Sequence, residues 1–117
     1  MKKISSILVL LAILLSNVSF TAIRTDIRIN VRNELGNIES GVSIALYKTK
    51  ADYEKSENAV FKGLTDIKGN ITFDGVEAIS YYVGAEKGGR NNYGAAEKTE
   101  VLEAGKLNKM TIIIAEE

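Results

Sequence analysis

Apolar and polar residues alternate in several separated runs of this chain, and the alternation predicts strands. Over residues 26–32, Ile27, Ile29 and Val31 fall on one side while Arg28, Asn30 and Arg32 fall on the other, the period of two that marks a half-buried strand. Residues 42–48 repeat the pattern, with Val42, Ile44 and Leu46 inward and Ser43, Ala45 and Tyr47 outward. Residues 80–86 place Tyr81, Val83 and Ala85 inside and Tyr82, Gly84 and Glu86 outside. In residues 108–115, Met110, Ile112 and Ile114 face inward, and Thr111 and Ile113 face out. Residues 60–65, 70–73 and 98–103 complete a set of seven. The facing of 60–65 stays open, because Phe61 favours one side and Val60 and Leu64 the other.

Turn chemistry punctuates these runs. The sharpest signal is residues 64–76. A strand end leads to a tight turn from Asp66 to Gly69, a short strand follows with Ile71 and Phe73 on one face, and a second turn falls at Asp74-Gly75. Asp suits the first turn position because its carboxylate accepts backbone N–H groups further on, and Gly the last because it takes a positive φ without a steric cost. Residues 33–37 read as another turn, Ile38 is expected to tuck under the fold, and Gly41 permits a bend. Thr49 with Asp52 three residues later resembles a helix start, so residues 49–58 read as a long loop with at most one or two helical turns. Residues 87–96, rich in Gly and Asn, read as a loop. Seven short strands at this spacing predict an all-β fold, a seven-stranded antiparallel Greek-key sandwich.

The N-terminus follows a different logic. Lys2 and Lys3 precede an unbroken apolar run of nine, residues 7–15, and residues 16–22 turn small and polar. That run is too short to span a bilayer as a helix and reads as a secretory signal peptide helix. Residues 1–22 are therefore expected to be removed, with cleavage between 20 and 24, and residues 23–117 to form one domain. No later stretch is long enough to span, so no membrane association is expected after removal, and the product is expected in the periplasm or outside the cell.

Charge and composition narrow the partners. The chain has 15 basic and 15 acidic residues, and losing Lys2 and Lys3 with the signal leaves a net charge of −2. Such a balance gives no overall attraction to nucleic acid. With no cysteine, neither a disulfide nor an acylated lipoprotein cysteine is available, and the domain must hold by its core alone.

The residues Thr65-Asp66, Gly69, Phe73 and Gly75-Val76, preceded by Gly41-Val42, Ile44 and Leu46-Tyr47 and followed by Tyr81, Val83 and Ala85, resemble the transthyretin-like (prealbumin-like) sandwich. That grouping includes the carboxypeptidase regulatory-like and collagen-adhesin B-type domains. Leu46-Tyr47-Lys48, Ala51-Asp52-Tyr53, Ser80-Tyr81-Tyr82-Val83, Glu86-Lys87-Gly88 and Asn91-Asn92 are similar to small exported proteins of Bacteroidetes-type bacteria. The resemblance covers the mature chain and implies a fold that hosts many unrelated tasks. The family's urate-pathway hydrolase uses histidines, and this chain has none. Its adhesins often carry a Lys–Asn isopeptide bond between first and last strands. Here residues 26–32 hold no lysine and residues 111–115 no asparagine.

Candidate chemistry is sparse. Without His or Cys, the commonest general base and the strongest nucleophile are missing. Asp66 and Asp74 bracket one strand at a carboxylate-pair separation, yet both sit where turn propensity alone places an Asp. Asp66, Asn70 and Asp74 could supply oxygen ligands, but the spacing of a dedicated calcium loop is absent. No cofactor or metal is expected. Residues 87–94 mix cations, amides and an aromatic on a glycine-rich backbone, and make Arg90, Asn91, Asn92 and Tyr93 ligand-contact candidates. Tyr47 and Tyr82, read as outward-facing, would add an aromatic patch suited to a glycan or another envelope protein. The reading is a non-enzymatic exported binding or structural module of the cell envelope. The alternatives are self-association through strand edges, with residues 110–115 the segment to watch, or a secreted hydrolase.

Overall fold

The computed structural model describes residues 23–95 and 97–116; the expected signal peptide, residues 1–22, lies outside them. The strands are β1 (Asp26–Asn33), β2 (Ser43–Tyr47), β3 (Phe61–Leu64), β4 (Asn70–Phe73), β5 (Tyr82–Lys87), β6 (Arg90–Asn91) and β7 (Leu107–Glu116). One short helix, α1 (Lys50–Lys55), follows β2, and a 3-10 turn, Tyr93–Ala95, follows β6. Strand order is β3-β2-β5-β6-β7-β1-β4. Two layers result: β4, β1 and β7 in one, β3, β2, β5 and β6 in the other, joined where β6 pairs with the end of β7 through Arg90 and Asn91. No helix among the described residues is long and apolar enough to cross a membrane.

The all-β expectation holds, and two of its details need correction. The sheet is mixed: β1 and β7 run parallel, Asp26 beside Leu107 through Asn33 beside Ile114, while the other pairings are antiparallel. Alternation along a strand reports its faces and is blind to the direction of its neighbour. The seventh strand is also not the expected one. Residues 98–103 make a single bridge pair, Lys98 with Tyr82, while Arg90–Asn91, expected in a loop, form β6. Side chains divert the 98–103 segment from a regular ladder. The Tyr81 N–H donates to Thr99 Oγ1 (2.9 Å) and the Ser80 hydroxyl donates to the Thr99 carbonyl.

The interior is hydrocarbon. Ile27, Ile29 and Val31 of β1, Ile44 and Leu46 of β2, Val83 and Ala85 of β5 and Ile112 and Ile114 of β7 are all buried in one cluster with Val42, Phe73 and Tyr81. Register settles the open facing of β3. Phe61 lies beside Leu46 and Gly63 beside Ile44, so Phe61 packs on the core and Leu64 is exposed. Gly63 leaves the space that the Ile71 side chain fills. Ile38 departs from expectation: it stays about half exposed and makes only a bridge pair with Arg32.

The hairpin forms as its residues dictate. Asp66 Oδ1 accepts from the N–H groups of Lys68 and Asn70, both at 2.9 Å, and the Gly69 N–H donates to the Asp66 carbonyl. Those bonds favour the carboxylate and hold the Asp66 pKa below its ordinary value. Gly69 has φ +76°, and a side chain there would meet the Val31 carbonyl at 3.0 Å and Ile38 at 3.2 Å. The Val31 N–H donates to the Gly69 carbonyl at 2.8 Å, so the turn is docked on β1. Gly88 has a similar φ, +60°, with open space around it. Gly88→Ala should therefore cost about 1 kcal/mol from backbone conformation alone, and Gly69→Ala roughly 2–4 kcal/mol because crowding adds to it. Urea unfolding of both variants measures the difference, and equal losses would contradict the docked turn.

Candidate functional site

Of the sequence candidates, Arg90, Asn91, Asn92 and Tyr93 do come together, at the crossing between the two sheets, but as framework. The Arg90 guanidinium donates to both oxygens of Glu39, Nη1 to Oε1 at 2.5 Å and Nη2 to Oε2 at 3.3 Å, and Lys87 Nζ donates to Oε2 at 3.3 Å. The Glu39 side chain is only 12% exposed. Arg90, with Lys87 and an Asn33 amide, favours the charged form and holds the Glu39 pKa down at about 2. This fork pins the segment between β1 and β2 to β5 and β6.

Asn92 is buried and extends the ladder with its side chain. Its Oδ1 accepts from the Ala85 N–H (2.9 Å) and its Nδ2 donates to the Val83 carbonyl (2.7 Å). Asn91 pairs with Glu86 and Ala115, and its Oδ1 accepts from the Tyr93 N–H at 3.0 Å. The segment read as a loop bearing ligand-contact candidates is a hydrogen-bonded clasp.

Tyr47 and Tyr82 are register partners on β2 and β5, but Tyr47 is buried and not part of an exposed aromatic patch. α1 explains the difference. Thr49 caps it, its Oγ1 accepting from the Asp52 N–H at 3.1 Å, and Ser56 closes it in the left-handed conformation. The cap aims Tyr53 down onto the sheet. Its ring lies 5.9 Å from Tyr47, 5.8 Å from Tyr82 and 5.8 Å from Tyr93, centroid to centroid. Ala45, read as outward-facing, is buried in the same cluster with Tyr47 and Tyr53. Tyr82 stays partly open, with Lys98 Nζ 5.1 Å above its ring. Gly84 is needed below: a side chain there would meet Tyr93 at 3.3 Å and Tyr47 at 3.4 Å.

A cleft of about 320 Å³ remains at the rim of this cluster, lined by Tyr53, Glu54, Ser56 and Tyr93. The buried Tyr53 hydroxyl has no hydrogen-bond partner among the described residues, and burial raises its pKa. Burial also raises the Tyr93 hydroxyl, helped by the nearby Glu86 charge. The sequence reading missed Tyr53 and Glu39. The one aromatic residue in a largely polar, capped turn was the available signal for Tyr53, whereas the Glu39 partnership spans 51 residues and leaves no local trace.

The carboxylates of the hairpin serve separate partners. Asp66 is taken by its turn, Asn70 Oδ1 accepts from the Asn30 side-chain amide at 2.8 Å, and Asp74 lies 4.0 Å from Arg24. Between the sheets, the β1 positions Ile27, Ile29 and Val31 and the β7 positions Ile112 and Ile114 are hydrocarbon, so no amine there meets a carboxamide.

No family model matches this sequence, and no curated protein matches it. Solved structures do match by shape. A variant of BcpA, the major pilin subunit of Bacillus cereus, aligns with a TM-score of 0.59 at 20% identity, over 80% of this chain and 29% of that one. Another structure of BcpA gives 0.54 at 14%, over 80% and 30%. The Bacillus anthracis TIE protein gives 0.56 at 16%, over 79% and 17%. This chain thus shares the β-rich fold of a segment of each, and spans under a third of their length.

Glu39 generates a prediction. Its folded pKa of about 2 lies below its ordinary 4.5, so the stability it contributes is complete above pH 4.5 and is lost as pH falls toward 2. Glu39→Gln should be destabilised relative to wild type at neutral pH, with the gap in urea midpoint closing across that window. A gap independent of pH would contradict the ion-pair account.

Proposed function

We propose that this chain is an exported, non-enzymatic structural or binding module of the cell envelope, with a transthyretin-like sandwich of the adhesin B-type grouping. The observation that carries this reading is that the polar groups best suited to chemistry are engaged in the framework: Glu39 with Arg90 and Lys87, Asp66 in its turn, Asn92 along β5. What remains exposed includes sheet face, strand edge and the cleft beside Tyr53. The likeness to part of a major pilin subunit supports the same reading, and the N-terminal pattern of residues 1–22 supports export.

One observation favours a second reading, self-association. β7 pairs with β1 along Leu107 to Ile114 and with β6 only at Ala115 and Glu116. The Asp26 N–H donates to the Lys106 carbonyl, a register that gives even-numbered β7 residues to β1. The N–H and C=O groups of Lys109, Thr111 and Ile113 then point to an edge that no described strand occupies. Long edges are templates for another chain, and past Lys109 this one carries no charge through Ala115, whereas β3 and β4, the outer strands, have four residues each.

Expression of the full chain with its own N-terminus in a bacterial host tests both readings. The expected product is exported, begins between residues 20 and 24, and shows no turnover of ester, glycoside, peptide or phosphate substrates that Asp66→Asn abolishes. Full-length protein retained in the cytosol, or such turnover, would contradict the first reading. Sedimentation of the product across a dilution series should show a concentration-dependent dimer that Thr111→Pro removes without disturbing the fold, since a proline there leaves the β1 ladder intact. A monomer at every concentration would end the second.

A further inference from the structure

The outer face of the β4–β1–β7 layer carries an unbalanced charge pattern. Register sets Thr72, Arg28 and Lys109 side by side in one row, and Asn70, Asn30 and Thr111 in the next; Arg32 beside Ile113 follows. Adjacent strands are about 4.8 Å apart, so Arg28 and Lys109 are like charges in direct opposition, an arrangement that destabilises a sheet. Among the described residues neither forms an ion pair, nor does Arg32 or Lys68. Their hydrogen bonds are to neutral groups. Arg28 Nε donates to Thr72 Oγ1 at 3.1 Å, and Arg32 Nε to Asn30 Oδ1 at 2.9 Å. Asp26, two residues before Arg28 on the same face of β1, is taken by Arg24 and the Gly75 N–H, and Asp66, which feels Arg28 and Lys68, is already held by its turn.

We propose that this face docks an acidic polysaccharide, its carboxylates neutralising Arg28 and Lys109 and its hydroxyls meeting Thr72, Thr111, Asn30 and Asn70. Charge complementarity names the anion, because an incoming carboxylate between the opposed cations removes a repulsion that the fold leaves standing. The neutral rows name the sugar, since hydroxyl and amide side chains both donate to and accept from sugar hydroxyls. The aromatic rings of the described residues lie elsewhere, in the core or in the tyrosine cluster, so the face lacks the stacking platform that single-stranded nucleic acid uses. Its large apolar side chains on β7, Leu107 and Ile113, sit at opposite ends of the array and are each less than half exposed, too little to enter a lipid surface.

The proposal rests on the envelope-module reading only for where such a polymer is met. The surface itself follows from register, so failure of binding leaves the export reading standing. The experiment is fluorescence anisotropy of labelled polygalacturonate titrated with the purified domain at low salt, with neutral dextran, polyphosphate and anionic phospholipid vesicles as comparators. Wild type should bind polygalacturonate in preference to all three and release it as salt is added. The double variant Arg28→Gln, Lys109→Gln should lose about tenfold or more in affinity, and it should melt no lower than wild type because the repulsion is gone. The control Lys55→Gln, Lys62→Gln, which removes two cations from elsewhere on the surface, should bind as wild type does. Absence of binding, equal loss in the control, or tighter binding of dextran, polyphosphate or vesicles would overturn the proposal.

Discussion

The structure depends on keeping a hydrocarbon layer dry between two sheets. With no cysteine to cross-link it, the domain is held by side chains such as Ile27, Ile29, Val31, Ile44, Leu46, Val83, Ile112 and Ile114, each with at most 1% of its surface exposed. Burying one aliphatic side chain contributes about 1.5–3 kcal/mol before chain entropy is counted, and the surplus for a domain this size is small. The parallel pairing of β1 with β7 follows from the same requirement. It brings the first and last described strands together, so three apolar residues of one and two of the other face the interior as one surface.

Polar side chains close what the hydrocarbon leaves open. Thr65 is buried, accepts from the Val42 N–H at 2.9 Å and donates to the Glu39 carbonyl at 2.8 Å. Thr99 and Asn92 do the same at either end of β5. Glu39 then ties the strand crossing through Arg90. A buried polar group left without a partner costs free energy comparable to a lost hydrogen bond, and in this fold most such groups are matched by side chains where strand pairing stops.

Much of the fold was legible because it is local. Alternation gave the faces of β1, β5 and β7 correctly, and Asp66 with Gly69 gave the hairpin, since a turn is encoded within four consecutive residues. What escaped depends on distance. Tyr47 was read as outward, and it does point away from the main core; only α1 arriving with Tyr53 makes that side a second interior. Arg90 and Asn92 looked like contact residues because Gly and Asn signal loops, but Glu39 and β5 convert them to framework. Residues 98–103 alternate like a strand, yet Thr99 and Ser80 hydroxyls compete for the backbone groups a ladder needs. Pairing direction leaves no mark in an alternating pattern, so the parallel β1–β7 contact was beyond reach.

The shared interior is tested most directly by one truncation at its centre. Ile29 is fully buried on β1, the middle strand between β4 and β7, and belongs to the single cluster that both sheets build. If that cluster holds the domain together, the unfolding free energy of Ile29→Ala by urea denaturation falls by about 2–5 kcal/mol. A loss below about 1 kcal/mol, the range of an exposed aliphatic, would mean that the two layers do not close on a common core.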